Sequence, residues 1–325
     1  MKKRSLLSIL VAMLSILLLG AAREVPTYTI INLGSLGGNY SAAYSINDLG
    51  QVVGATETAS GEYHAFLWEN SVMTDLGTLG GQVSVAYDIN NRQQIVGSSY
   101  TAGAEDHAFL WENGAWLDLG VPLGGVFSYA SAINDWGQIV GSSDSDLSWL
   151  WQNGSIIDLG GLGTDGCLAM DISDRGAIVG GSSTALGDWH AFLWRPGANG
   201  LMIDLKISRP QYTSEANSIN ELGQIVGQVN GQAFLWNRKV VTKLGTLGGP
   251  GSRATSINNT TQIVGNSQTS SGLWHAFVWD SGVMVDLGTL GEGWQSIAFS
   301  INDNGWIVGS SWFGNEEYAV LWIEP

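Results

Sequence analysis

The hydrophobic residues of this chain recur in short segments separated by glycine, asparagine and aspartate. In one copy the segments read "AAYSIN", "QVVGAT", "HAFLWE" and "SVMTDLGTL". Their short length and their β-branched and aromatic residues are typical of β-strands. "SINDLGQ" supplies a turn between the first two strands, and "WENG", "WQNG" and "WDSG" supply hairpins between the last two, because these residues tolerate positive φ. The pattern predicts four antiparallel strands per copy.

This four-strand pattern occurs seven times. Each copy has a tryptophan at the end of its third segment, and successive tryptophans are 43, 40, 43, 42, 43 and 43 residues apart. They are Trp68, Trp111, Trp151, Trp194, Trp236, Trp279 and Trp322. Four antiparallel strands per copy are typical of a β-propeller blade. We therefore predict one all-β domain over residues 23–325, a seven-bladed β-propeller; an open β-solenoid is the alternative.

The two ends of the chain carry complementary fragments of the repeat. "YTIINLG", from Tyr28 to Gly34, resembles a fourth strand that lacks the first three, and the C-terminal "EYAVLWIEP" stops after a third strand. Together they make one complete copy. We therefore expect the N-terminal strand to close the last blade, which removes sheet edges that would otherwise favour aggregation.

Four copies share the motif "HAFLW" or "HAFVW". The motif begins at His64, His107, His190 and His275. With "DLGTLGG" from Asp75 and segments such as Ile133 to Gly141, it gives the chain a resemblance to the HAF-repeat family of bacterial proteins, over essentially all of the mature chain. The resemblance implies secretion and a propeller-like repeat, but no general activity. The third, fifth and seventh copies depart from it with "LSWLW", "QAFLW" and "YAVLW".

The N-terminal segment "MKKRSLLSILVAMLSILLLGAA" has three cations, an apolar run and small residues, in that order. This order is typical of a secretory signal peptide, here residues 1–22. It predicts a secreted protein, extracellular or periplasmic; an uncleaved membrane anchor is the alternative. Cleavage changes the formal net charge from −16 to −19. Such an acidic chain disfavours nucleic acid as a partner. We expect a monomer with no membrane span in the mature chain.

Each histidine of the motif is followed by an aspartate, 11 residues later in three copies and 14 in the fourth. Because side chains alternate along a strand, a two-residue hairpin puts the two on one face of the sheet. We predict structural ties in the pairs His64–Asp75, His107–Asp118, His190–Asp204 and His275–Asp286. A shared metal site and one histidine in a local catalytic site are the alternatives. No metal and no other cofactor is predicted.

Other motif matches lack the context that their chemistry requires. Gly161, Gly163 and Gly166 have dinucleotide-loop spacing but precede a predicted strand instead of a helix. The same stretch approximates one calcium-binding nonapeptide through Asp165, but such repeats act in tandem. The single cysteine, Cys167, can form no internal disulfide and is expected to be buried. No hydrolase, metalloprotease or nucleotide-binding motif is present.

A ligand site is expected where aromatic residues break the repeat. The candidates are Trp189, Trp274, Trp294, Trp312 and Phe313. They fall in or beside loops predicted to emerge on one face, and four of the five belong to the last two copies. Acids and amides follow them in sequence, and this combination suits stacking on sugar rings or contact with a protein. The loop "KISRPQYTSE" adds Arg209 and Tyr212, and Trp136 and Trp306 are expected on the opposite face.

These observations favour a secreted, non-catalytic scaffold that binds a protein or a glycan. The first alternative is a hydrolase or lyase acting on polysaccharide, with carboxylates such as Glu292 and Glu316 as the pair. A glycosidase requires its two carboxylates at a defined separation, which the sequence does not supply. The second alternative is a purely structural protein of the cell surface.

Overall fold

The computed structural model describes residues 27–144, 147–163, 166–197, 200–207 and 213–324. The predicted signal peptide, Asp165, Arg209 and Tyr212 therefore lie outside the described residues. Within them the chain forms 28 β-strands and no helix, which confirms the all-β prediction. The described part accordingly offers no helix of the length and hydropathy that crossing a membrane requires.

The strands follow the repeat. Before the first repeat comes β1 (Thr29–Gly34). The first repeat contains β2 (Gly37–Ile46), β3 (Val52–Thr58), β4 (Tyr63–Glu69) and β5 (Val72–Gly77). The second contains β6 (Gly80–Ile89), β7 (Ile95–Thr101), β8 (Asp106–Glu112) and β9 (Ala115–Gly120). The third contains β10 (Ser128–Ile133), β11 (Ile139–Ser143), β12 (Leu147–Gln152) and β13 (Ser155–Asp158).

The later repeats have the same arrangement. The fourth contains β14 (Cys167–Ile172), β15 (Ile178–Ser183), β16 (Trp189–Arg195) and β17 (Leu201–Asp204). The fifth contains β18 (Ser214–Ile219), β19 (Ile225–Val229), β20 (Gln232–Asn237) and β21 (Val240–Lys243). The sixth contains β22 (Gly248–Ile257), β23 (Ile263–Thr269), β24 (Trp274–Asp280) and β25 (Val283–Gly288). The seventh contains β26 (Gln295–Ile301), β27 (Ile307–Phe313) and β28 (Glu316–Ile323).

The four strands of each of the first six repeats pair antiparallel in chain order, and β1 pairs antiparallel with β28 of the seventh. Repeats three to six form separate four-stranded sheets, which is consistent with a β-propeller. The other three repeats do not form separate sheets. Single parallel bridges, Tyr40 with Glu317 and Tyr63 with Val83, join them into one mixed sheet of 12 strands.

The hairpin between the third and fourth strands has the predicted turn chemistry. After Trp68 and Glu69 the chain turns through Asn70 and Ser71, whose φ values are +50° and +64°. The register then pairs Trp68 with Met73. In the first repeat the two glycines of the "LGG" segment, Gly37 and Gly38, already belong to β2.

The second strand approaches the first so closely that only glycine fits in the "IVG" motif. A Cβ atom on Gly54 would lie 1.9 Å from the carbonyl oxygen of Ala42. The register of β2 against β3 also shifts beyond Ala43. The glycine therefore permits the bulge that bends the first strand.

The apolar core lies between neighbouring repeats. In one cluster Val53 and Leu67 of the first repeat pack with Ala86, Ile95 and Phe109 of the second. The fully buried ring of the third strand is the phenylalanine two positions before the repeat tryptophan, as in Phe66, Phe109, Phe192, Phe234 and Phe277. The repeat tryptophans differ in burial. Trp322 is inaccessible to solvent, whereas Trp68 is half-buried.

Candidate functional site

Each of the four histidines lies beside the aspartate with which the sequence pairs it. The shortest distances from Nδ1 to a carboxylate oxygen are His64–Asp75 2.9 Å, His107–Asp118 2.9 Å, His190–Asp204 3.1 Å and His275–Asp286 2.9 Å. The Oδ1 atom of Asp75 also accepts the backbone N–H of Gly77 over 2.7 Å. The contact thus joins the third and fourth strands and caps the turn that follows.

Repeats without the histidine show what else this position accommodates. In the fifth repeat Gln232 stands at the histidine position and Lys243 at the aspartate position. Lys243 Nζ donates a hydrogen bond of 3.1 Å to Gln232 Oε1. In the third repeat Leu147 replaces the histidine, and Asp158 still accepts the N–H of Gly160 over 2.8 Å. A polar cross-strand pair therefore forms here without an imidazole. Among the described residues, no group of three or more His, Cys, Asp or Glu side chains is arranged to hold a metal ion.

His190 differs from the other histidines in the surroundings of its Nε2 atom. This atom is buried and has no hydrogen-bond partner among the described residues. A cavity of about 340 Å³, lined by Thr184 and Lys206 among others, lies beside the ring. Because no hydroxyl or thiol of the described chain is hydrogen-bonded to Nε2, the pair with Asp204 lacks a positioned nucleophile.

Three of the five candidate aromatic residues come together in the seventh repeat. The ring centroids of Trp294 and Trp312 are 6.3 Å apart, and Phe313 follows Trp312 at the end of β27. The indole N–H of Trp294 donates to the carbonyl of Gly314 over 3.2 Å. Trp294 is 46% exposed and Phe313 is 49% exposed. These three residues are called the repeat-7 patch below.

The other candidates lie elsewhere. Trp189 packs against its own repeat, because a Cβ atom on Gly181 would lie 2.3 Å from the indole nitrogen. Trp274 packs against Gly251 in the same manner, and a Cβ atom there would lie 3.1 Å from its ring. No ring contact among the described residues joins either tryptophan to the repeat-7 patch. Glycines of the same repeat therefore provide room for these two rings.

Aromatic side chains on the first strands of four repeats contact one another in a row. The Tyr44 ring lies 5.2 Å from that of Phe299 and 6.0 Å from that of Tyr87. The Tyr87 ring lies 6.2 Å from that of Tyr129. Burial raises the pKa of Tyr87 to about 12, so this hydroxyl stays neutral at physiological pH. These residues provide an apolar wall inside the molecule.

Arg253, on the first strand of the sixth repeat, lines a cavity together with part of this wall. Arg253 Nη2 donates to Glu215 Oε2 over 3.1 Å and to Asn217 Oδ1 over 3.0 Å. The cavity has a volume of about 340 Å³, and its lining includes Arg253, Asn217, Tyr44 and Phe299. We call it the inner cavity. It brings aromatic rings next to Arg253, which is paired with Glu215.

Sequence reasoning missed the inner cavity, although the signal was present. When the repeats are aligned on their tryptophans and first strands, Glu215 and Arg253 occupy one column. The other repeats have Ala42, Val85, Tyr129, Leu168 and Ile297 there. Two opposite charges in an otherwise apolar column of first-strand residues break the repeat more sharply than an extra aromatic residue in a loop does.

The turns between first and second strands form a second polar region, which we call the turn ring. Each turn contains an asparagine, except in the fourth repeat, where Ser173 takes its place. The residue that follows donates its backbone N–H to a side chain in the turn of another repeat. Its members are Asp48, Asn91, Asp135, Asp174, Glu221, Asn259 and Asp303. Together they line a pocket of about 210 Å³. Burial raises the pKa of Asp174 and of Glu221 above the usual range of carboxyl groups.

Solved structures with a similar fold are β-propeller-like. An inactive variant of virginiamycin B lyase from Staphylococcus aureus, solved with quinupristin, has a TM-score of 0.58 at 11% identity, covering 91% of this chain and 99% of the other. The extracellular domain of a putative one-component system from B. thetaiotaomicron has a TM-score of 0.59 at 11% identity, covering 90% of this chain and 39% of the other. At this identity the likeness concerns the fold alone.

No protein-family model matches the sequence, and a search of curated proteins finds no match. The resemblance to HAF-repeat proteins therefore rests on the motifs quoted above.

Proposed function

We propose that this protein is a secreted β-propeller of seven blades that binds a glycan without chemical conversion. The seven repeats supply the blades, with β1 as the fourth strand of the last one. The pairing of β1 with β28 and the turn ring, in which Asp303 N–H donates to Asp48 over 2.9 Å, support a closed arrangement. The signal-peptide pattern in residues 1–22 supports secretion, extracellular or periplasmic.

The observation that carries the binding role is the repeat-7 patch. Two aromatic side chains, Trp294 and Phe313, remain about half exposed beside the ring of Trp312. Exposed aromatic rings are costly in water and offer flat surfaces for sugar rings or for a protein partner. The acidic chain disfavours anionic polymers, so we propose a neutral glycan as the ligand.

The alternatives have less support. For a polysaccharide hydrolase or lyase, Glu316 was one of the two expected carboxylates, but it accepts a hydrogen bond from the hydroxyl of Tyr318 on the same strand. That contact engages the carboxylate within β28. A purely structural surface protein would have no reason to keep the aromatic rings of the repeat-7 patch exposed.

The test is a glycan array followed by titration of soluble neutral polysaccharides against the mature protein. A Trp294→Ala/Phe313→Ala variant removes the exposed rings of the patch. Trp136→Ala is the matched control, because Trp136 is a 72% exposed tryptophan in the third repeat. We expect binding to be lost in the double variant and kept in the control, with both variants folded. The proposal is contradicted if the wild-type protein binds no neutral glycan, or if both variants lose binding equally.

A further inference from the structure

Trp306 occupies a position where most other repeats have a glutamine that bonds within its own turn. The residue before the second strand is a glutamine in five repeats, namely Gln51, Gln94, Gln138, Gln224 and Gln262. In each of these repeats the glutamine Oε1 accepts the side-chain amide of the turn asparagine, as Gln51 does from Asn47 over 2.8 Å. An indole has no such acceptor. The turn therefore does not require a tryptophan at this position.

The ring of Trp306 lies beside a cavity. It packs against the first repeat, where a Cβ atom on Gly50 would lie 2.6 Å from the indole Cζ3. It also lines a cavity of about 330 Å³ together with Thr260 and Gln262 of the sixth repeat. We call this the Trp306 cavity. Because Trp306 remains 39% exposed, a ligand in the cavity can reach its ring.

The charged side chains that line the Trp306 cavity are all acidic. They are Asp280, Asp303 and Glu324, and the described lining includes no lysine, arginine or histidine. Asp303 accepts only neutral donors, the backbone N–H and the side-chain amide of Asn259, each over 2.8 Å. Among the described residues neither Asp303 nor Glu324 forms an ion pair with a basic side chain. The cavity therefore favours a cationic ligand.

The arrangement favours an organic cation over a metal ion. Within the described part of the chain no three His, Cys, Asp or Glu side chains are arranged to hold a metal, so the three carboxylates do not converge on one point. A cavity of this volume can instead surround a larger cation. Tryptophan attracts cations more strongly than the other aromatic side chains do, and quaternary ammonium groups are recognised in this way. Trp306 and the carboxylates together match such a group.

We propose that the Trp306 cavity binds a small quaternary ammonium compound without a carboxylate. Its methyl groups lie against the indole of Trp306, and Asp303 and Glu324 balance its positive charge. A carboxylate on the ligand would be repelled by the acidic lining. Trp306 precedes β27 and Phe313 ends it, so this site and the repeat-7 patch lie at opposite ends of one strand. The site does not depend on glycan binding.

Isothermal titration calorimetry of the full mature protein with choline and with tetramethylammonium tests the proposal. Two compounds serve as controls for choline. In 3,3-dimethylbutan-1-ol carbon replaces the nitrogen, which keeps the shape and removes the charge, and glycine betaine carries an added carboxylate. We expect choline to bind, and both controls to bind at least about tenfold more weakly, because the ring and the carboxylates attract the positive charge.

The first variant tests the aromatic ring. Trp306→Gln introduces the residue that five other repeats have at this position, and should weaken choline binding at least about fivefold. Trp136→Gln is the matched control, because it removes a 72% exposed tryptophan from the corresponding turn of the third repeat. The control should bind choline as the wild-type protein does.

The second variant tests the charge. Asp303→Asn should weaken choline binding at least about twofold, a modest factor because this carboxylate is exposed to solvent. Asp135→Asn is the matched control, since Asp135 accepts the N–H and the amide of Asn91 as Asp303 accepts those of Asn259. Asp135 does not line the Trp306 cavity, so its variant should leave choline binding unchanged.

Circular dichroism shows whether the variants are folded, and Asp303→Asn decides the comparison if Trp306→Gln does not fold. Trp294→Ala/Phe313→Ala should bind choline normally, which separates this site from the repeat-7 patch. The proposal is overturned if neither choline nor tetramethylammonium binds, or if the neutral alcohol binds as tightly as choline. It is also overturned if the folded cavity variants bind choline as their controls do.

Discussion

The Nδ2 group of Asn302 donates a hydrogen bond of 2.9 Å to the backbone carbonyl of Asn47, 255 positions earlier in the chain. The same bond links neighbouring repeats elsewhere: Asn134 donates to the carbonyl of Ser173 over 3.0 Å, across 39 positions. The asparagine of the "IND" turn therefore bonds its own turn to the next repeat. Between Asn302 and Asn47 it joins the last repeat to the first.

Replacing this asparagine by serine, the residue found at Ser173, removes the side-chain amide and keeps a small polar side chain. Asn302 loses its bond to Asn47 and the two backbone N–H groups that its Oδ1 accepts within its own turn, and Asn134 loses the corresponding bonds and one more to Gln138. If the ring is closed, both variants should therefore lose at least about 1 kcal/mol of stability, the net value of one hydrogen bond. Urea unfolding followed by tryptophan fluorescence measures both. An open arrangement predicts that Asn302→Ser costs clearly less than Asn134→Ser, because Asn302 then has no bond to Asn47 to lose and loses only the bonds within its own turn.

Leu33 of β1 tests the contribution of the N-terminal strand. Its side chain is 7% exposed and belongs to a cluster with Ile46 of the first repeat and Leu321 of the seventh. Leu33→Ala should reduce the free energy of unfolding by about 2–5 kcal/mol, the range for truncating a buried leucine. Thr29→Ala is the control, since Thr29 lies exposed on the same strand. An effect no larger than that of the control would show that β1 does not stabilise the fold.

The His–Asp contact can be isolated by comparing two aspartates. Asp75 accepts both His64 and the N–H of Gly77, whereas Asp158 accepts the N–H of Gly160 in a repeat without the histidine. Asp75→Ala and Asp158→Ala both remove the turn contact. Asp75→Ala should reduce the free energy of unfolding by about 0.5–1 kcal/mol more than Asp158→Ala does, because only Asp75 also loses a histidine contact. The difference is small because the aspartate is partly exposed. Thermal unfolding of both variants measures the difference, and equal losses would assign no stabilisation to the histidine contact.

Local patterns were sufficient to predict the strands and the His–Asp pairs. The turn at Asn70 and Ser71 depends on residues that tolerate positive φ, and the pairing of His64 with Asp75 follows from that turn and the alternation of side chains. Both are contacts within one hairpin. Their geometry is therefore set by neighbouring residues in the sequence.

The inner cavity leaves no signal within a single hairpin, and its signal appears only when the repeats are compared with one another. Glu215 and Arg253 lie 38 positions apart on different strands, and they meet because two first strands lie side by side. The surroundings of Trp189 and Trp274 also depend on other strands. Both break the repeat as the patch residues do, and Gly181 and Gly251 of their own sheets provide room for their rings.

Asp88 predicts how stability depends on pH. It lies on the first strand of the second repeat, where its carboxylate accepts the hydroxyl of Ser45 over 2.6 Å and the N–H of Ile133 over 2.8 Å. Burial raises the pKa of Asp88 from 3.8 to about 6, despite these hydrogen bonds. Burial also raises the pKa of Asp171, at the same position two repeats later.

A pKa raised in the folded state means that the folded protein binds the proton more tightly than the unfolded chain. Stability should therefore increase as the pH falls from about 6 to about 4, by at most about 1.4 kcal/mol per pH unit from Asp88. Asp88→Ser, which introduces the residue present at Ser45, should flatten this dependence. Glu292→Gln, an exposed carboxyl with the same change in charge, should not. Melting temperatures measured between pH 4 and pH 7.5 test this, and an unaltered profile in Asp88→Ser would assign the pH dependence to other groups.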